Sequence, residues 1–444
     1  MGIQIAAVGG YTDIGRNCTA VNIDGEVVLL DLGLHIEHYI NYTEDEDIIK
    51  VDLEELTKVG AIPDISLIWD WNKNVRAIIP SHAHLDHIGA IPFIGGKFNA
   101  MILGTPFTNA VIKTTMEDEK IIFKNNIKTI QPNSYYKLSE NIKVEFINVT
   151  HSIPQTVIVA LHTKYGVILY AVDFKFDRSP VLGKKTNLRR LEELGKQGVL
   201  ALILDSTNAT NSVKTPSENV AKQMLKDVIL GTTSKNNVIV VTTFSSHIAR
   251  LKSVVECGRN LNRKIIFLGR SLYKYSKAAE TTGIINFSKN VEILKYNRQI
   301  KKRLKNVENN RSKFLLVTTG HQGEPKSVLS KMLDRELHFN FKPNDHIIFS
   351  CKVIPTETNI KNREMMEEKL KLQKVRIFKD IHVSGHAGRE DLRDLINLVK
   401  PKHIIPAHGT SNMIDASAEL GIEMGYTLNK DLHKMRDGDR LIIN

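Results

Sequence analysis

Short apolar blocks, partly alternating with polar residues, open the chain: IQIAAVGG at 3–10, TAVNIDGEVVLLDLG at 19–33 and VRAIIPS at 75–81. Blocks of this length bounded by Gly, Asp and Pro predict strands joined by tight turns, with a hairpin at Asp24 and Gly25. The opening is therefore read as antiparallel β. Between 105 and 203 the pattern predicts a helix over TPFTNAVIKTTMEDEKII, then strands NIKVEFINV, TVIVALHT and VILYAVDF, a basic segment at 184–190, and the apolar VLALILD.

From about residue 211 the pattern changes. A capped helix beginning near Ser217 precedes VIVVTTF, a helix after Ser246, KIIFLG, a helix near Tyr273 and FLLVTTG. Strands alternating with helices of 10 to 15 residues predict βαβ units and a mostly parallel sheet. The first pattern returns in VRIFKDIHVSGHAG, a helix over 390–399, HIIPAHG, a final helix and LIIN. Three segments follow: 1–210 and 355–444 as two parts of one domain, and 211–354 as a second domain between them. The class is α/β.

A chain of 444 residues exceeds the usual span of one hydrophobic core, in keeping with two domains. Its 42% hydrophobic and 25% charged residues exclude a wholly disordered or membrane-embedded protein. Sixty-one Lys and Arg against 49 Asp and Glu leave +12, which favours a polyanionic partner, nucleic acid foremost. The Lys-rich run at 289–313 reads as a solvated face. Cys18, Cys257 and Cys351 lie far apart, which argues against a disulfide framework and a thiolate zinc site. No leader and no stretch of 18 apolar residues is present, so a cytoplasmic location away from membranes is expected.

The chemistry concentrates in IIPSHAHLDHIGA, where a strand delivers His82, His84, Asp86 and His87 within six positions. Imidazole and carboxylate ligands without thiolate suit zinc or a similar divalent ion. One loop does not surround two ions, so further ligands are sought at other strand ends. His151 follows KVEFINVT, Asp173 follows VILYAV and His408 follows HIIP. Each alone reads as a satisfied polar residue; together with the loop they read as ligands.

These residues resemble the metallo-β-lactamase superfamily, and within it the β-CASP group of nucleic-acid hydrolases. Asp31 in LLDLG, SHAHLDH, THS with His151 and AVDF with Asp173 match four successive superfamily motifs. Asp205 in LDSTNA, His386 in HVSGHA and His408 match the β-CASP additions. GGYTDIGRNC at 9–18, TTGHQGEP at 318–325, HVSGH and PAHG are similar to the ribonuclease J family, in particular its shorter archaeal type. Asp13 and His321 depart from that pattern, where glutamate and, in bacterial relatives, serine are commoner.

The resemblance implies a metallo-β-lactamase αββα sandwich with an inserted, Rossmann-like β-CASP domain. It implies two Zn²⁺ ions, with Mn²⁺ as the alternative. His82, His84 and His151 would hold one, Asp86, His87 and His408 the other, and Asp173 would bridge. Asp31 either orients a ligand or forms a turn before Gly33. His386 would be the catalytic acid, set by Asp205, and Asp86 and Asp173 complete the implied catalytic set. Ser246, His247, His382, Ser384 and Gly385, with His386, match positions that hold a nucleotide's 5′ phosphate, although Ser245 and Ser246 also fit as caps of the following helix. Gly320 to Gly323 would bring backbone to the substrate, and the 184–190 segment is either an RNA path or a solvated face. The implied substrate is single-stranded RNA, because histidine at the last motif accompanies RNA rather than DNA processing in the group.

The expected activity is 5′-to-3′ exoribonuclease action on 5′-monophosphorylated RNA, with internal cutting as the alternative. A glyoxalase- or lactonase-like hydrolase of small esters is the reading from another class. A homodimer through the β-CASP or terminal helices is left open. The chain is also expected to lack the N-terminal KH domains of the internally cutting archaeal relatives and the C-terminal domain of the bacterial ones.

Overall fold

The computed structural model describes residues 2–43, 52–122 and 124–443. They divide into two compact units, one comprising Met1–Arg178, Lys184–Thr215 and Gly385–Asn444, the other Ser179–Gly183 and Pro216–Ser384.

In the first unit, strands Ile3–Gly9, Cys18–Ile23 and Glu26–Leu30 form the expected antiparallel meander. The hairpin turns at Asp24 and Gly25, with φ of 52° and 91°, the positive values that a two-residue turn matched to strand twist requires. Val75–Ile79, Met101–Gly104 and Ile127–Thr129 extend this sheet in parallel, and Arg440–Ile443 pairs with Ile3–Gly9 at the opposite edge. A second sheet runs in the order His403–Ala407, Val199–Asp205, Gly166–Ala171, Val157–Thr163, Lys143–Asn148, Ser134–Lys137.

The sheets share one core, Ile5, Val21, Val28 and Ile79 from the first meeting Phe146, Val159, Ile168, Ile203 and Ile405 from the second. Alternate residues of the second sheet, such as Ile147, Ile158, Leu169 and Leu202, face the other way. They pack on Leu191 and Leu194 of helix Leu188–Gln197 and on Leu392, Leu395 and Val399 of helix Arg389–Val399. Covered on both faces, Val199–Asp205 is buried at all seven positions, which is why it reads as an unbroken apolar run. Helix Pro106–Glu119 lies on the first sheet. The layering is the expected αββα.

The second unit is a wholly parallel sheet ordered Val291–Leu294, Lys264–Leu268, Phe314–Thr318, Ile239–Thr242, His346–Phe349, Arg376–Phe378. The helix expected near Ser217 is Glu218–Gly231, capped by that serine, and the one near Tyr273 is Arg270–Thr281.

Two expectations are corrected. The second domain does not end near 354: helix Glu357–Leu372 buries Met366 and Leu370 in the core of the parallel sheet, and Arg376–Phe378 adds to its edge. The chain returns to the first unit only at Gly385. Nor do Ser245 and Ser246 cap the next helix. Ile248–Asn260 has His247 at its N-cap with no side-chain capping bond, and Ser246 contributes only its carbonyl, to the Ile248 amide. Among the described residues no helix is long and apolar enough to cross a membrane, and the three cysteines are free and buried.

Candidate metal centre

Each metal-ligand candidate sits where a strand of the first unit ends and its loop begins. His82, His84, Asp86 and His87 follow Val75–Ile79, His151 follows Lys143–Asn148, Asp173 follows Gly166–Ala171 and His408 follows His403–Ala407. Asp31, Asp173 and His408 adopt left-handed backbone, with φ of 61°, 51° and 55°. Such values cost most residues energy and are tolerated best by Gly, Asn, Asp and His.

The loops bring these residues into two groups joined at Asp173. In one, His82 Nε2 lies 2.9 Å and His151 Nε2 3.2 Å from His84 Nδ1, and both Nε2 atoms lie 3.3 Å from Asp173 Oδ2. In the other, His408 Nε2 is 3.0 Å and His87 Nε2 3.4 Å from Asp173 Oδ1. Asp86 Oδ2 stands 3.3 Å from His87 Nε2 and 3.8 Å from His408 Nε2. Each carboxylate oxygen of Asp173 thus faces one group.

The outer ring nitrogens are held by acceptors, which turns the inner nitrogens toward one another. His87 Nδ1–H donates to Asp31 Oδ2 at 2.7 Å, His408 Nδ1–H to Asn17 Oδ1 at 2.8 Å and His151 Nδ1–H to the Gly385 carbonyl at 2.8 Å. Asp31 also accepts from the Ser81 amide and hydroxyl and from the Tyr170 hydroxyl. The Asn17 amide donates to the Asp86 carbonyl. Gly33 lets the LDLG loop lie against the ligand loop, for a Cβ there would meet the Asp86 carbonyl oxygen at 1.6 Å. Sequence reasoning missed Asn17, Ser81 and Tyr170. The signal for Asn17 was its place in GGYTDIGRNC; a tyrosine within an apolar strand gave none.

Burial lowers the pKa of His82, His84 and His151, leaving neutral imidazoles with free lone pairs, the form that binds metal. In the other group burial also opposes charge, but Asp173 and its neighbouring carboxylates outweigh it and raise His87 and His408. Asp31, Asp173 and Asp205 are at most 1% exposed, and the Oδ1 of Asp173 accepts no hydrogen bond. Buried negative charge facing converging ring nitrogens is an environment that divalent cations complete. The residues fit the implied ions.

His386 adjoins this centre. Its Nδ1–H donates to Asp205 Oδ2 at 3.0 Å and its Nε2 lies 3.9 Å from Asp173 Oδ2. Asp205 is fixed in turn by the Thr207 amide. Although burial opposes it, the charges of Asp173 and Asp205 raise His386 to about 9. Gly385 packs on His151, where a Cβ would stand 2.8 Å from Cε1.

The substrate-contact candidates divide between the units. Gly385 and His386 belong to the first, Ser246, His247, His382 and Ser384 to the second. There His247 Nε2 lies 3.4 Å from a Glu218 carboxylate oxygen, and the same carboxylate accepts two bonds from the fully buried Arg250. Burial, with Arg250 and His247 nearby, pushes His382 down to about 3. The glycines of the 320–323 loop serve its own packing: a Cβ at Gly320 would meet Ser327 and one at Gly323 would meet Asn362. His321 packs its ring on Phe244. In the 184–190 segment, Arg190 is bound to Glu145 and Glu193, so this cation is already paired.

Comparison with known proteins gives the family. Residues 236–367 match the family described as "Ribonuclease J, beta-CASP domain", and residues 374–430 match "Zn-dependent metallo-hydrolase RNA specificity domain". The chain is 41% identical to ribonuclease J of Methanocaldococcus jannaschii, over 99% of both chains. It is also 41% identical to ribonuclease J of Pyrococcus abyssi, over 98% of this chain and 96% of that one. A solved structure of a protein of unknown function from Enterococcus faecalis V583 covers 100% of both chains with a TM-score of 0.65 at 15% identity, and so shares the fold.

Proposed function

The chain belongs to the ribonuclease J family, and from that premise we propose that it is a metal-dependent hydrolase of RNA phosphodiester bonds, working 5′ to 3′ from monophosphorylated ends of single-stranded RNA. The observation that carries this reading is Asp173, whose two oxygens face two separate ligand groups. His82, His84 and His151 would hold one Zn²⁺ and Asp86, His87 and His408 the other, with Asp173 shared; Mn²⁺ suits the same donors. Such a pair of cations activates water near neutral pH and offsets charge on a reacting phosphate.

The rest is done by side chains. Asp31 and Asn17 keep the Nδ1 protons of His87 and His408 turned outward, so each Nε2 keeps its lone pair for the ion. Asp205 fixes His386 with Nε2 toward the cluster, and a protonated His386 supplies the proton that a departing ribose oxygen needs. Substrate contact is assigned within each unit by itself, to Gly385 and His386 in the first and to Ser246, His247, His382 and Ser384 in the second, whose hydroxyl, imidazole and amide donors suit phosphate oxygens. The β-CASP domain is read as the second unit, inserted into a metallo-β-lactamase domain.

The test follows single-stranded 5′-monophosphorylated RNA, labelled at either end in separate samples, in zinc, in manganese and with EDTA. Immediate release of mononucleotide from the 5′ label, while 3′-labelled strands stay near full length until they vanish, supports the reading. Discrete internal fragments from both labels would establish internal cutting instead, and intact RNA in both metals would refute hydrolysis.

A further inference from the structure

Residues 295–305, KYNRQIKKRLK, hold six cations and no acid. They run into helix Asn297–Asn309 of the second unit, which buries Ile300, Leu304 and Val307. At about 100° per residue, these three lie at roughly 180° to 240° from Arg298. Arg298, Lys301, Lys302 and Lys305 fall on the opposite side, the three lysines each within about 60° of Arg298. The apolar stripe is in the core of the parallel sheet, so the basic stripe faces outward. Arg303, off the stripe, pairs with Glu292. None of the four stripe cations pairs with a carboxylate among the described residues.

A merely solvated helix face mixes signs, because opposite charges three or four residues apart stabilise a helix and like charges destabilise it. This stripe sets like charges at 298 and 301, 298 and 302, 301 and 305, and 302 and 305, which weakens the helix. Beside its N-terminus an aromatic pair adds a second chemistry. Lys295 Nζ lies 5.0 Å from the Tyr273 ring centroid and 5.3 Å from that of Tyr296, and Tyr296 is 57% exposed. Cations spaced along about 10 Å of helix with an exposed aromatic ring suit a single nucleic-acid strand, the cations taking phosphates and the ring stacking a base. An anionic membrane fits less well, since the helix's apolar face is already committed to the core.

We propose that Arg298, Lys301, Lys302 and Lys305, with Tyr296, form an accessory docking face for single-stranded RNA on the β-CASP unit, separate from the residues assigned to phosphate contact. The choice of RNA rests on the function proposed above. The test measures binding of a fluorescent single-stranded RNA of about 20 nucleotides to the full chain by anisotropy, in EDTA so that cleavage is off, across about 50 to 200 mM salt. The stripe variant carries Arg298→Gln, Lys301→Gln, Lys302→Gln and Lys305→Gln. A control carries Lys58→Gln, Lys73→Gln, Lys97→Gln and Lys120→Gln, the same charge removed from scattered exposed sites.

The stripe variant should bind about tenfold or more weakly and flatten the slope of log affinity against log salt by about 3, four contacts at about 0.7 each. Its thermal midpoint should equal or exceed the parent's, because like charges are removed. The control should keep most of the affinity, and Tyr296→Ala should weaken binding with the slope unchanged. Parental affinity and slope in the stripe variant overturn the inference, as does an equal loss in the control, or a stripe that binds anionic vesicles and not RNA. RNA that binds through the stripe but stays intact when metal is restored overturns the hydrolase reading and leaves the stripe standing. Cleavage with parental binding by the variant does the reverse.

Discussion

Asp31 offers the sharpest test of the metal centre, because one atom of it decides a proton position. Its carboxylate is wholly buried. Oδ1 accepts the Ser81 amide at 2.6 Å, and Oδ2 gathers three donors: His87 Nδ1–H at 2.7 Å, the Tyr170 hydroxyl at 2.9 Å and the Ser81 hydroxyl at 3.0 Å. In Asp31→Asn the amide oxygen must keep the Ser81 amide, which puts the NH₂ among the three former donors. Two are hydroxyls and can rotate to accept. His87 can accept at Nδ1 only by moving its proton to Nε2, the atom that faces Asp86 and Asp173. A proton there occupies the lone pair the ion needs. Loss of such an orienting partner costs about 10- to 100-fold in metal affinity, or about 1.4 to 2.8 kcal/mol. The effect should fall mainly on the Asp86, His87 and His408 group, which Asp31 bonds directly, and reaches the other group only through the Ser81 hydroxyl, which touches both Asp31 and His82 Nδ1. Dialysis against chelator-buffered zinc, with bound metal counted by mass spectrometry, should show one of two binding steps shifted clearly more than the other. Two steps superimposable on the parent's would refute the tautomer argument. Asp31→Ala should also unfold more easily, since four buried donors lose their acceptor, at about 1 to 3 kcal/mol for each left unpaired.

Three further outcomes are expected. His386→Gln and Asp205→Asn should slow RNA hydrolysis by about 100- to 10,000-fold with metal content unchanged, the signature of a lost proton donor; metal loss in parallel would make His386 a ligand instead. Gly385→Ala places a methyl 2.8 Å from His151 Cε1, so zinc affinity of the His82, His84 and His151 group should fall, and an unshifted titration counts against that packing. EDTA should abolish cleavage and lower the thermal midpoint, because an ion held at about 100 times its Kd adds about 2.7 kcal/mol to the folded state; readdition of zinc or manganese should restore both, and a midpoint indifferent to EDTA would count against ions in the centre.

The candidate ligands were legible in the sequence because their chemistry is local: one strand and one loop set HAHLDH, and each remaining ligand candidate marks the end of another apolar strand. Residues that act by reaching across the chain were not. Asn17 holds His408, 391 positions away, and no spacing rule links them. Tyr170 follows the inward alternation of Ile168 and Val172, so it reads as core, yet its hydroxyl ends on Asp31, a polar tip on an apolar body. The late return to the first unit escaped for a related reason, since Glu357–Leu372 buries only four residues, two of them charged, and a run of that composition looks like linker.

The left-handed residues show why so much of the centre could be read at all. Asp31, Asp173 and His408 each turn the chain through positive φ at a strand end, where the apolar and β-branched residues of the preceding strands would be strained. Asp and His belong to the few residue types that both tolerate this backbone and offer a metal or hydrogen-bond ligand. Backbone and chemistry therefore select the same residues in LLDLG, AVDF and PAHG. Replacing Asp173 with Asn would keep the turn and remove the charge, so a folded chain that binds less metal separates the two demands; a chain that fails to fold would show that the carboxylate itself, ringed by His82, His87, His151 and His408, is needed to hold the loops together.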